Sequence, residues 1–270
     1  MTQWLRKFAL WLGIIPTTTY AYPALDIHLQ GGIHLHLVGS IHMGTENMSP
    51  LPAALIQRLK RADALIVEAD ITQASPSFDT GEVAEALESQ LSPELWQQVL
   101  QRCQETGIPA NAIQHYPAWR TALTLQAQQA HQLGLRSEYG IDYQMLRFAQ
   151  QASLKTMELE GADTQMALLH ALPDNGIVLL KDTLAHWHTN ARLLQTLIGW
   201  WISPTKTMAT TELPATFSDD LYQILMGERN HKWQEMLLAL PAGNYVVAVG
   251  ALHLYSEGNL PELLAPYVIH

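Results

Sequence analysis

A chain of 270 residues, 48% hydrophobic and 15% charged, has the length and composition for a buried core in one large domain or two small ones, which excludes a disordered tether. Its formal charge of −10 excludes the basic footprint of a general nucleic-acid binder and electrostatic adhesion to an anionic membrane. The single cysteine, Cys103, excludes an intrachain disulfide and a cysteine-rich zinc site, so any metal has to be held by Asp, Glu or the 12 histidines.

Residues 1–21 are expected to form an N-terminal helix or a weak signal-like segment. Arg6 and Lys7 precede an apolar run from Phe8 to Ile15, and Thr19-Tyr20-Ala21 resembles a cleavage site. The run is far too short to span a bilayer. As an uncleaved amphipathic helix it packs Trp4, Phe8, Leu10 and Trp11 on the domain and implies a cytoplasmic protein. As a signal peptide it implies a periplasmic or secreted one. Residues 22–270 read as a single domain with helical insertions around 80–135 and 165–240.

Residues 25–39 predict a hairpin about Gly31-Gly32. Pro50 and Pro52 lead into a helix over 52–62, and ALIVEAD (64–70) reads as a continuously apolar strand ending in Glu68 and Asp70. Ser92-Pro93-Glu94 starts a helix, 117–134 is helical up to Gly134, and another helix covers 138–151. LKTMELE (154–160) reads as a strand, 177–202 as one long helical stretch and 203–218 as a loop. A helix over 221–243, a buried strand over 244–250 and a closing helix over 259–267 complete the chain. Within the long stretch, LLQTLIGWWIS (193–203) is expected to be a buried or surface-docking helix rather than a membrane span. Strands and helices alternate at both ends around a helical middle. That order predicts an α/β core sheet with a helical cap over its edge.

Two segments share one pattern. An apolar strand reaches Gly39 and His42 follows three residues later; another reaches Gly250 and His253 follows at the same spacing. Each then enters a loop, a proline and an apolar helix. Strand ends of an α/β sheet deliver ligand-binding loops, and a glycine lets the chain turn and a ligand approach the backbone. The two histidines converge if their strands are neighbours, and Glu68 joins them if ALIVEAD ends at the same sheet edge. Two imidazoles and a carboxylate are a ligand set for a catalytic divalent metal. Each residue also has an ordinary structural role open to it, as a hydrogen-bonded histidine or a solvated strand-end carboxylate.

From about Tyr22 onward the chain resembles the TraB/GumN family, nearest to its bacterial members, through LVGSIHMG, LIVEAD, YGIDYQML, MELEG, ERN and VVAVGALHLYSEGNLPELL. The resemblance implies an α/β fold with a central mixed sheet, akin to erythromycin-esterase-like (EreA) and ChaN-like cores, and a helical insertion capping the cleft. The Tiki branch of the family implies a metal-dependent protease using manganese or cobalt, with zinc also compatible. Its two Gly-x-x-His motifs and glutamate map onto Gly39, His42, Gly250, His253 and Glu68. Gly39 and Gly250 would then border the cofactor, with His42, His253 and Glu68 on the metal. Unlike the animal branch, the chain shows no carboxyl-terminal membrane anchor.

Six further residues are weighed. Asp142 either caps the helix it begins or joins the catalytic site. Arg229 and Asn230 either steady an oxyanion or pair structurally with Glu228 or another carboxylate. Glu160 is a candidate for supporting a ligand histidine. His186 and His188, two apart in a predicted helix, point to different faces and make a poor metal pair. The expectation is a metal-dependent hydrolase, most simply a peptidase acting on a peptide or protein, with no nucleic-acid partner, no stable membrane span and an oligomeric state left open. Glu68 is a third ligand or the general base. The alternatives are a haem-, metal- or peptide-binding module without turnover, and a small-molecule esterase.

Overall fold

The computed structural model of the protein describes residues 20–72, 85–203, 217–256 and 258–269. Most of the expected N-terminal helix or signal-like segment and most of the 203–218 loop lie outside the described residues. Among the described residues, five strands form one sheet in the order β1-β2-β5-β3-β4. They are β1 (Ala24–Leu29), β2 (Ile33–Ser40), β3 (Ala64–Val67), β4 (Thr156–Glu158) and β5 (Gly243–Gly250). β1 runs antiparallel to β2, and all other pairings are parallel, so the sheet is mixed.

The apolar runs become the three inner strands because both faces of the sheet are covered. One face presents Val38, Leu65, Val67, Val246 and Ala248 to a core shared with Leu55 and Leu59 of α1 (Ala53–Arg61). The other presents Leu35, Leu37, Ile66, Val247 and Val249 to Trp233, Leu237, Leu260 and Leu264. A third core is purely helical. Trp96, Val99, Trp119, Leu125, Leu180 and Trp187 join it, so helices from both insertions share one interior.

Several elements differ from their sequence reading. The strand over 64–70 stops at Val67, and Glu68 lies in the turn beyond it. That turn is clamped from β4's side: Leu159 N–H donates to the Val67 carbonyl, and the Glu160 and Gly161 N–H groups donate to that of Glu68. The strand over 154–160 is accordingly only Thr156–Glu158. The stretch over 177–202 is two helices, Ile177–Ala185 and Trp187–Ile202, joined at His186, whose Nδ1 bonds the Asp182 carbonyl. The helix expected over 221–243 begins at Asp219, passes through a π-helical turn at Gln223–Gly227 and ends at Leu238. A π turn widens the helix by one residue per turn and marks functional positions in many proteins; here it immediately precedes Arg229 and Asn230. The segment over 193–203 is a buried helix, with Leu193, Leu197, Ile198, Trp200 and Trp201 in the core. Among the described residues no helix is long and apolar enough to cross a membrane.

Gly44 explains why the first histidine is followed by a glycine. Gly44 exchanges two backbone hydrogen bonds with Arg136, at 3.0 and 2.8 Å, which draws the His42 loop against residues 136–141. A Cβ on Gly44 would collide with the Tyr139 carbonyl, and one on Gly140 with the carbonyl of His42. The atoms in the way are backbone, so they do not yield easily. Gly44→Ala is therefore expected to cost about 1–3 kcal/mol and to displace His42. Urea denaturation checks the first effect; a wild-type midpoint would mean that the two segments are free to separate.

Candidate active site

β2 and β5 are neighbours in register, with Gly39 opposite Val249 and Ser40 opposite Gly250. The two Gly-x-x-His motifs therefore leave the sheet side by side, and the Ala251 N–H donates to the Ser40 carbonyl at 3.0 Å. β3 flanks β5 on the other side and brings Glu68 to the same carboxyl edge. His42 stands in a loop with 66% of its side chain exposed, while His253 sits buried on a short helix, Leu252–Tyr255.

Each imidazole is held by its Nδ1. Asp142, in the first turn of the helix Ile141–Ala152, pairs through Oδ2 with His42 Nδ1, and its Oδ1 accepts from its neighbour's amide, Tyr143, at 2.9 Å. Asp142 thus serves the helix start and the site together. Asn230 Oδ1 accepts from His253 Nδ1 at 2.6 Å, and Asn230 Nδ2 donates to the Gly258 carbonyl at 3.2 Å. Asn230 is completely buried, and its amide is spent on positioning His253, not aimed at a substrate oxygen.

Arg229 is the centre of the charge network. Its Nη2 donates to Glu68 Oε2 at 2.7 Å and to Glu160 Oε1 at 2.6 Å, and its Nε reaches Glu160 at 2.8 Å. Its Nη1 lies 3.3 Å from His253 Nε2. An arginine N–H can only donate, so that nitrogen accepts and His253 carries its proton on Nδ1. Glu160, weighed as a support for a histidine, instead anchors the arginine. Glu68 Oε1 accepts from the Gly250 N–H at 2.6 Å, and Gln165 Nε2 reaches Oε2 at 3.3 Å. The guanidinium also lies over Trp233, 4.7 Å from the ring centre, and the same ring packs 4.4 Å from that of His253.

The glycines have separate duties. Gly250 offers its N–H to Glu68, and a Cβ there would sit 3.4 Å from that carboxylate. Gly39 gives its carbonyl to Trp201 Nε1 at 3.1 Å and passes so close to Ala251 and Tyr255 that a Cβ would stand 3.3 and 3.1 Å from them. Gln165, Trp201 and Trp233 escaped the sequence reading. Trp233 had one usable signal, its position one helical turn after Arg229.

The electrostatics divide the two histidines. The Asp142 carboxylate, by its charge and its hydrogen bond, raises His42 from 6.5 to about 9, and the 66% exposure of the side chain leaves desolvation little with which to oppose it. Burial lowers His253 to about 3, with Arg229 and His42 adding to it against the pull of Glu68. Burial alone would raise Glu68, but the groups facing it, His253, Arg229 and His42, together with the Gly250 N–H, hold it at about 2. One imidazole is therefore a cation at neutral pH until an ion displaces its Nε2 proton, and the other is a neutral acceptor. Because the folded pKa of His42 is raised, its contribution to stability is complete below about 6.5 and is lost as pH climbs through about 9. Solvent at the exposed ring screens that contribution. Asp142→Asn is expected to return the His42 titration from about 9 toward 6.5, followed by NMR of the ring protons. A midpoint still near 9 would assign the shift to another group.

In chemistry and orientation the donors suit a divalent ion: Asp142 and Asn230 occupy Nδ1 of each ring, leaving Nε2 as the ligating nitrogen, and Glu68 adds a carboxylate. They are not closed around one. Among the described residues no group of three or more His, Cys, Asp and Glu is arranged to hold a metal, and the Arg229 guanidinium, donating to Glu68 and facing His253, supplies the positive charge there.

The TraB/PrgY/gumN family model matches residues 26–266. The YbaP proteins of Escherichia coli (strain K12) and Shigella flexneri are each 52% identical to the chain over 245 residues, covering 91% of this chain and 93% of theirs. No solved structure matches it. With a family match from the first strand to the last helix, and the matched region containing both Gly-x-x-His strand ends, the chain belongs to the TraB/PrgY/gumN family.

Proposed function

We propose that the protein is a metal-dependent hydrolase, with a peptide as its substrate. The observation that carries this reading is the convergence of His42, His253 and Glu68 at one sheet edge, each imidazole fixed through Nδ1 by its own side-chain acceptor. A buried imidazole needs a partner in any case, so what separates these two from His36, which is also paired with a carboxylate, is that they meet Glu68 at the sheet's carboxyl edge. His42, His253 and Glu68 would hold the ion, with manganese or cobalt favoured. Bound there, the ion would supply water ionised near neutral pH and a polarised carbonyl.

The protein's own groups supply the rest. Asp142 and Asn230 keep the imidazoles in one tautomer. Arg229, anchored by Glu160, would exchange Glu68 for a carbonyl or carboxylate oxygen of a substrate, since Glu160 alone can retain it. Beside Arg229 and Glu160 a groove of about 570 Å³, lined by Leu159, Leu168, Ile224, Trp233 and Met236, suits an apolar residue flanking the cleaved bond. That groove favours a peptide over a compact ester.

The experiment is metal analysis together with peptide and ester cleavage, on the wild type and on His42→Ala and His253→Ala. Manganese- or cobalt-dependent peptide cleavage, lost in both variants with the fold retained, supports the reading. Full metal content in both variants places the site elsewhere. A Soret band in the purified protein with no cleavage turns the reading to a haem-binding module.

A further inference from the structure

The face of the sheet under α1 carries polar rows at the end opposite the candidate active site. Register aligns His28 of β1, His34 of β2 and Asn244 of β5 in one row, and Asp26, His36 and Val246 in the next. These side chains line a cavity of about 390 Å³ roofed by Arg58 and Arg61. The second row is fully committed: His36 binds Asp26 at 2.7 Å and Tyr22 at 2.9 Å, and Arg58 holds Asp26 at 2.8 Å. The first row is not. His28 Nδ1 and His34 Nδ1 lie 2.6 Å apart, with the rings edge-on at 4.8 Å between centres. Two ring nitrogens at that separation direct a lone pair from at least one ring toward the other, with a single proton shared between them.

We propose that His28 and His34 form a second metal site, for a borderline ion of the Cu²⁺, Ni²⁺ or Zn²⁺ class. Binding would replace the shared proton, which passes through solvent to Nε2 of the ring that donated it, so that two neutral imidazoles bond the ion through both Nδ1 atoms with water completing its shell. At metal–nitrogen distances of about 2.0–2.1 Å, cis nitrogens stand roughly 2.9–3.3 Å apart, so the rings need to separate by less than an ångström. The backbone beneath them is fixed on both sides. His28 pairs with His34 across β1–β2, and its carbonyl accepts from the Ile269 N–H at 2.9 Å. Imidazoles without a carboxylate favour copper, nickel and zinc over manganese, so this site differs in preference from the hydrolytic one. His34 lies six residues before Ser40 on β2, roughly 20 Å along the strand from the candidate active site.

The probe is Cu²⁺, titrated into wild-type protein near neutral pH and read by electron paramagnetic resonance. Beyond any copper taken up at the candidate active site, one equivalent with hyperfine structure from two imidazole nitrogens is expected. His28→Asn and His34→Asn should each weaken it at least tenfold, and His42→Ala should leave it unchanged. Circular dichroism of the asparagine variants checks that β1 remains paired. Unchanged uptake by the His28→Asn/His34→Asn double variant, loss of the signal in His42→Ala, or no uptake by the wild type at equimolar copper would each overturn the proposal.

Discussion

Arg229→Ala is expected to destabilise the protein by about 3–5 kcal/mol, the usual result of removing one partner from a buried ion pair. Arg229 has 15% of its side chain exposed, and the carboxylates of Glu68 and Glu160 have 10% and 7%, so little solvent is present to replace the lost guanidinium. Without it two negative groups face each other, and the face of Trp233 loses its cation. For a protein of this size the melting temperature should fall on the order of 10 °C. Adding Glu160→Gln removes one of the orphaned charges and should restore part of the loss. Glu68 should simultaneously titrate upward from about 2, since Arg229 is among the charges holding it down. Thermal and urea unfolding of the single and double variants decide the matter. A single variant melting within a degree or two of wild type would mean that water or a bound cation takes the guanidinium's place.

Arg229 also shows where reading from sequence stops. The strands were legible because local chemistry determines them: the apolar runs over 64–67 and 245–249 have no stable place except between two covering layers, and 33–38 alternates isoleucine and leucine with histidine at the strand period before ending in Val38. The Gly-x-x-His ends followed, since the motif contains both the strand's stop and the residue it presents. Arg229 and Asn230 were visible only as an ERN triplet on a helix, with two roles open. The partners of Arg229 lie 161 residues away for Glu68 and 69 for Glu160, that of Asn230 lies 23 away at His253, and no periodicity encodes such contacts. Gln165 and Trp201 were missed for the same reason, because each reaches the site across the helical insertion. The break at His186 was hidden by continuous helical spacing on either side. Asp142 was legible in its location and ambiguous in its role, and the geometry gives it both: one oxygen for Tyr143 and one for His42.

For Glu68 the geometry now favours one of the two roles in the proposed hydrolase. A general base works best with a pKa near the working pH, and a carboxylate held at about 2 by His253, Arg229, His42 and the Gly250 N–H is a poor proton acceptor at neutrality. The same features suit a ligand, which must stay ionised. Glu68→Gln keeps the size of the side chain but replaces an anionic donor with a neutral amide, and it also leaves Arg229 with Glu160 alone. Metal affinity is therefore expected to fall by roughly tenfold to a hundredfold or more, with peptide cleavage falling alongside it and recovering partly at high metal concentration. Recovery is the discriminating feature, because excess metal can refill a weakened site but cannot replace a missing base. Metal titration and turnover measured on the same Glu68→Gln sample give the answer. Unchanged metal affinity with turnover down about a hundredfold assigns the base, and unchanged values of both take Glu68 out of the mechanism.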